Sequence, residues 1–533
     1  MRGRSRCVGW RSKCARTCWA RTTASRHGRG SSAMRSAARS ERDARPQFRQ
    51  SGVNVSGKTE TGELRSNALG WAQIVFFVIA TNGPLIGLVG AVPVAIALGN
   101  GVGTAGAFVL AGLAYLLFSI GFVAMSRHIG NAGAFYSYVT AGLGGGFGIV
   151  AAFLALAAYM GIQLACFGMI GFFLEQAQQQ WLGASAAWWV NALAAAALVR
   201  VCAHRNIEFS GQLLMMLMAC EVGIVLVFVA AVLFHGGGPE GLTLAPLQPS
   251  HVFSAGLGVS LVFVAGSYFG FETTAIYAEE ARDPRRSVAI ATYVALGAIT
   301  LFLSLATWAV TVAYGPANVV AAAQANPGDF WFSLAATLVS PALATAMNLL
   351  MITSLFASLL SLHNSVSRYL FALGREGLLW RWLARVHPRQ HTPSTASMVQ
   401  FAISAACVLA FAAFGADPMA TVLPLGSAIA SIAMLSVQVL TSIAVPFFFL
   451  SRPLPRRPWP TLIAPIAAAL ALSGLIALIW RSLPLLAGGN ESFVAIIPLS
   501  VAAVAVAGGA YALWLRQCRA EFYHNLGQTL ERV

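Results

Sequence analysis

Apolar residues in this chain come in long runs separated by short polar stretches, and runs of this kind recur from Trp71 to Leu515. A helix crosses roughly 30 Å of hydrocarbon with about 20 apolar residues, so each run is long enough to span a bilayer. The pattern predicts about twelve spans, over 72–98, 103–126, 147–174, 185–203, 210–234, 252–280, 288–313, 341–371, 395–414, 419–450, 461–480 and 493–515. The runs are rich in Ala, Gly, Leu and Phe and lack the alternation over about ten residues that marks a membrane strand, which excludes a barrel. The expected fold is an all-α polytopic membrane protein.

Two spans are interrupted. In the first, Thr81-Asn82-Gly83-Pro84 is followed by Gly87, Gly90 and Pro93, so helical hydrogen bonding should lapse near mid-bilayer. In the sixth, Gly266-Ser267-Tyr268-Phe269-Gly270-Phe271-Glu272 places two glycines and an acid inside an apolar run. Corresponding breaks five spans apart are the sequence signature of an inverted-repeat transporter with a midplane site of unwound backbone. The plainer reading is that Gly and Pro let helices approach or kink. A broken helix exposes amides at the start of its second half, which suit a carboxylate, and carbonyls at the end of its first half, which suit an ammonium. That pairing fits an α-amino acid, with its amine at carbonyls of Ile79 to Asn82 or Gly266 to Phe269 and its carboxylate at amides from Gly83 to Gly87.

Composition agrees with a bilayer as solvent: 57% of the 533 residues are hydrophobic and 10% charged, against roughly a quarter charged in a soluble chain. The formal charge of +16 does not indicate nucleic acid, because residues 1–65 hold 16 Lys/Arg against four acids, or +12 of the total. This Arg- and Ser-rich segment is expected to be a disordered basic tail, with residues 66–515 forming the transmembrane domain and 516–533 a short cytoplasmic C-terminal tail. The other 18 basic residues are all arginines, and counted from a cytoplasmic N-terminus only Arg481 falls outside. That asymmetry predicts an even number of spans with both termini inside. The cysteines show no metal-ligand spacing and are expected to be free thiols. No metal, cofactor or catalytic cluster is expected.

Acids within spans are costly and invite a functional reading. Glu272 either caps free amides of span six or neutralises a substrate amine and organises a gate. Glu221, in the apolar fifth span, is either a proton-coupling acid or a permanently neutral, hydrogen-bonded one. No lysine occurs after Lys58, so no intramembrane ammonium can serve in coupling. Ser354, Ser358, Ser361 and Ser365 form one stripe on span eight, able either to complete a sodium site, chiefly through Ser354 and Ser358, or to bond a neighbouring helix. Tyr159 and Gln163 share a face of span three and line substrate or pack. Glu279, Glu280, Arg282 and Arg368 lie in loops whose ion pairs can form an inward gate or simply anchor the positive side.

At these loops the chain resembles the amino acid/polyamine/organocation permeases. The resemblance rests on Gly270-Phe271-Glu272 with Glu279-Glu280-Ala281-Arg282-Asp283-Pro284-Arg285-Arg286, on the stretch from His363 to Gly377, and on Asn131-Ala132-Gly133-Ala134-Phe135-Tyr136. It implies a five-plus-five inverted repeat with discontinuous helices 1 and 6 and two further C-terminal helices. It also implies alternating access and substrate contacts from spans one, three, six, eight and ten. Candidate substrate residues are thus Thr81, Asn82, Gly83, Gly87, Tyr159, Gln163, Gly266, Tyr268, Phe269, Gly270 and Glu272. Several relatives carry a bulky aromatic gate where this chain has Gly266, leaving Tyr268 or Phe269 to close the site. Some carry a lysine near the position of Glu221. The expected activity is secondary active transport of amino acids or related small amines across the plasma membrane, coupled to protons or to exchange. The alternatives are a polyamine or amine antiporter and a membrane amino-acid sensor.

Overall fold

The computed structural model describes residues 70–520 and Tyr523, apart from 130–133, 206–210, 273, 275–282, 376, 388–391, 455–456 and 487–490. All of these lie within one compact unit, Leu64–Val533. The expected basic tail, 1–65, and the expected gate residues Glu279, Glu280 and Arg282 fall outside the described residues, as does most of the C-terminal tail.

The described part is all-helical but for one isolated bridge between Gly238 and Gly241. Span one is α1 (Trp71–Asn82), a π-helical turn Ile86–Ala91 and α2 (Val92–Leu98). There follow α3 (Thr104–Ser126), α4 (Ala134–Leu143), α5 (Gly145–Leu182), α6 (Trp188–His204), α7 (Gly211–Phe234) and α8 (Leu257–Gly266), the first half of span six. Beyond the second break come α9 (Pro284–Tyr314), α10 (Val319–Ala325), α11 (Phe330–Leu338), α12 (Pro341–Arg375), α13 (Ser394–Ala413), α14 (Leu423–Leu450), α15 (Ala464–Leu486) and α16 (Glu491–Cys518). Nine described helices are long and apolar enough to cross a membrane, and three shorter apolar ones are Ile86–Leu98, Trp188–His204 and Leu257–Gly266. Two of these three are halves of the spans that the sequence interrupts.

The hydropathy pattern misses α4, α10 and α11, which are too short to bridge a bilayer and sit between spans. It also ends α5 at residue 174, where the apolar run stops, although the helix continues through Glu175 and the glutamines to Leu182. Gly183, at φ +72°, then terminates it in the left-handed conformation that glycine adopts without strain.

Small residues let the scaffold close around the breaks. A Cβ on Gly161 of α5 would lie 2.8 Å from the Gly426 carbonyl of α14, so these helices meet backbone to backbone. The stretch after α8 is anchored in an aromatic cluster on α3. Tyr268 stacks on Tyr115 at 4.7 Å, and Phe271 meets Tyr115, Phe118 and Phe122 edge-on at 5.6, 5.9 and 6.1 Å.

Candidate substrate site

Both breaks fall at the predicted positions. Gly83 has φ +57° and Gly270 φ +106°, backbone angles open to glycine and strained for other residues. The two stretches touch: a Cβ on Gly87 would stand 3.0 Å from the Ser267 hydroxyl. A cavity of about 230 Å³ opens at this junction. Asn82, Gly83, Gly87 and Ser267 form its floor, and Met218 and Val222 of α7 with Ile299, Phe302 and Leu303 of α9 form an apolar wall.

A buried glutamate lies beside each break, Glu272 in the sixth span itself and Glu221 on α7. Glu272 is fully buried; its Oε1 accepts from the Tyr159 hydroxyl of α5 at 2.7 Å and its Oε2 from the Gly270 amide at 3.0 Å. The carboxyl therefore caps the unwound backbone of span six while fastened to span three. Glu221, 5% exposed, has its carboxyl within electrostatic reach of the Ser354 hydroxyl of α12 and of the Leu85 amide just beyond the first break. Its Oε2 is buried without a partner, as is the Ser358 hydroxyl one turn from Ser354. A Cβ on Gly83 would lie 3.1 Å from the Ser354 oxygen, so Glu221, Ser354 and the first break form one contiguous group.

These bonds change two expectations. The amides from Gly83 to Gly87 do not stand open to a carboxylate as a set: those of Ile86 and Gly87 donate to the Gly83 carbonyl at 2.9 and 3.4 Å, and that of Leu85 lies near Glu221. The cause is local, since the π-helical turn begins straight after Pro84 and Gly83 folds back onto it. Tyr268 does not face the junction as a closing side chain. Its hydroxyl donates to the Phe108 carbonyl at 2.8 Å and bonds Thr300 at 3.0 Å, which turns the ring toward α3 and α9.

The other candidates divide. Gly266 faces α5, where a Cβ would meet only Ile162 at 3.6 Å, an ordinary van der Waals contact. Phe269 is buried beside it in sequence. Gln163 is buried against Gln400 of α13, whose amide donates to it, and neither it, Tyr159 nor Glu272 lies on the cavity wall. Gln400 escaped the sequence reading although a glutamine in an apolar span was a usable signal. Thr81 lies in the last turn of α1. Arg368 is exposed near the end of α12. Among the described residues no cluster of His, Cys, Asp and Glu is placed to hold a metal.

A sequence profile described as amino acid permease matches residues 69–503, from the first span to the last. The chain belongs to the amino acid permease family. It falls accordingly among the amino acid/polyamine/organocation permeases, and the family is one of transporters. The permease is 31% identical over 194 residues to an uncharacterised transporter of Mycobacterium tuberculosis, an alignment covering 35% of this chain and 41% of the relative. It is 30% identical over 199 residues to cationic amino acid transporter 4 of Homo sapiens, covering 36% and 28%. With the branched-chain amino acid permease of Lactococcus lactis subsp. cremoris it shares 25% over 316 residues, covering 54% and 64%. The permease thus spans less than half the length of the mycobacterial relative it matches.

Proposed function

We propose that the permease is a secondary active transporter of amino acids or related small amines, working by alternating access in a plasma membrane with both termini cytoplasmic. The observation that carries this reading is the contact between two glycine-broken helices, Gly83 to Gly87 against Ser267 to Gly270, beside a cavity of about 230 Å³. Unwound backbone at membrane depth is tolerated where it is buried in protein or lines a cavity, and there it offers the ammonium and carboxylate partners an amino acid needs. The apolar wall formed by Met218, Val222, Ile299, Phe302 and Leu303 suits the hydrocarbon part of such a substrate. The relatives named as carriers of cationic and of branched-chain amino acids support the substrate class without choosing within it.

Coupling is assigned to Glu221. Its carboxyl, on α7, lies near the Leu85 amide of the first break and the Ser354 hydroxyl of α12, so gain or loss of a proton there changes the field at both. A proton is favoured over sodium as the coupling ion because a titratable carboxyl, that of Glu221, is buried beside the first break. Glu272 is given a structural part, fixing the unwound stretch of span six through Gly270.

The test is protection of an engineered thiol. With Ser267→Cys in vesicles, amino acids that are substrates should slow alkylation of the thiol, while sugars and carboxylic acids lacking an amine should not. Alkylation unaffected by every amino acid and amine would remove the junction as the substrate site.

A further inference from the structure

A second opening lies away from the substrate junction, between α3 and α15. These helices meet closely at one end, where a Cβ on Gly121 would stand 2.8 Å from the Pro465 ring. Beyond that contact a groove of about 630 Å³ opens between them, with Leu113, Ala114 and Leu117 on one side, Gly474, Leu475 and Arg481 on the other, and Phe253 at its edge. Ala114 and Leu475 are buried and form its floor, whereas Leu113 and Phe253 are 60% and 65% exposed and form its rim. A Cβ on Gly474 would meet nothing within 4 Å, so this glycine leaves the middle of the groove open.

The lining has one chemistry along its length and another at one end. Among the described residues that line it, Arg481 alone is polar and none is acidic. The groove follows α15 from Ala471 to Arg481, ten residues on or about 15 Å along the helix. That is half of a hydrocarbon core of roughly 30 Å, the depth of one leaflet. Trp480, beside Arg481 and 55% exposed, is a side chain favoured at the membrane interface, and Arg481 is the arginine that the loop count sets apart from the others.

A ligand matched to this shape is a hydrocarbon chain about one leaflet long that ends in a negative charge. A phosphodiester carried on acyl chains has that form, and its oxygens pair with a guanidinium through charge-assisted bonds. No carboxylate lines the groove to receive the ammonium of a choline or ethanolamine headgroup, which favours a lipid of net negative charge. We propose that the groove is a binding site for an anionic phospholipid of the leaflet on the Arg481 side, with one acyl chain lying over Gly474 and Leu475 and the phosphate resting on Arg481. The site is separate from the substrate junction and does not depend on the transport reading. An arginine that merely reaches its head toward water would account for Arg481 but not for the apolar cleft that leads to it.

The test places the full chain in nanodiscs of phosphatidylcholine containing a minor fraction of phosphatidylglycerol that carries a photoreactive diazirine in one acyl chain. After irradiation, labelled peptides covering 110–117 and 471–481 are counted against those of α16, a helix exposed over most of its length. The native chain should label preferentially in the groove, and excess unlabelled phosphatidylglycerol should compete where phosphatidylcholine does not. Arg481→Gln should lower groove labelling about tenfold, the loss of one charge-assisted hydrogen bond. Gly474→Leu, which fills the groove and leaves the charge in place, should lower it as well. Because Arg481 is exposed, its variant reports on the site even where Gly474→Leu fails to fold. Groove labelling no higher than that of α16, or unchanged in Arg481→Gln, would overturn the site. Equal competition by the two lipids would overturn the anionic assignment. A dimer in native mass spectrometry that excludes label from the groove would assign this face to a second copy of the chain instead.

Discussion

The Tyr159 hydroxyl donates to Glu272 across 2.7 Å, and the Ser354 hydroxyl stands near the second buried glutamate, Glu221. Glu272 also accepts the Gly270 amide of its own break, and Glu221 lies near the Leu85 amide beyond the other. Spans three and eight, five apart like the broken spans, thus each bring a hydroxyl toward a buried carboxyl beside an interruption.

Tyr159→Phe removes one donor to a fully buried carboxyl. The unsatisfied oxygen should cost about 1–3 kcal/mol. Thermal denaturation in detergent should show a lowered midpoint, and uptake should fall with it; an unchanged midpoint would mean that the bond carries nothing.

Glu221→Gln keeps an oxygen able to accept from Leu85 and Ser354 but cannot release a proton. Accumulation driven by a pH gradient should be lost while substrate binding and exchange persist. In the native chain, replacing sodium by choline should leave the uptake rate unchanged, and a slowed rate would move the coupling to Ser354 and Ser358.

Gly270→Val places a branched side chain at φ +106°, a strain of about 1–3 kcal/mol. Gly87→Val brings a side chain against Ser267, where even a Cβ would stand at 3.0 Å. Both variants should lose substrate protection of the Ser267→Cys thiol, whereas Gly297→Val, at a glycine whose Cβ would touch nothing within 4 Å, should keep it.

Much of this architecture is legible in the sequence because it follows from local chemistry. Lengths of apolar runs mark the spans, and Gly83-Pro84 and Gly270 mark the breaks, since proline lacks an amide and glycine alone takes those angles freely. The partners of the breaks are not local. Nothing near Glu221 in the chain indicates Leu85 or Ser354, which lie 136 residues before and 133 after it. The same holds for Tyr268, whose neighbours in sequence suggest a gate while Phe108 and Thr300 turn it into the packing. Pairing across helices is decided by three-dimensional packing, which hydropathy does not encode.

Gly266→Ala should be tolerated by the fold, because a Cβ there meets only Ile162, at 3.6 Å, and Gly266→Trp extends a bulky ring in the same direction. It should abolish uptake of amino acids with large side chains before that of small ones if the space on the α5 side belongs to the substrate path. Uniform retention of uptake would exclude that space from the path.

The most direct measurement is uptake of a labelled panel of amino acids and polyamines into proteoliposomes, with an imposed inward proton gradient. Accumulation of at least one amino acid above equilibrium, lost in Glu221→Gln, is the expected result. Failure of every label to accumulate, both under the gradient and with unlabelled amino acid inside, would contradict transport itself and leave a protein that binds without moving its ligand.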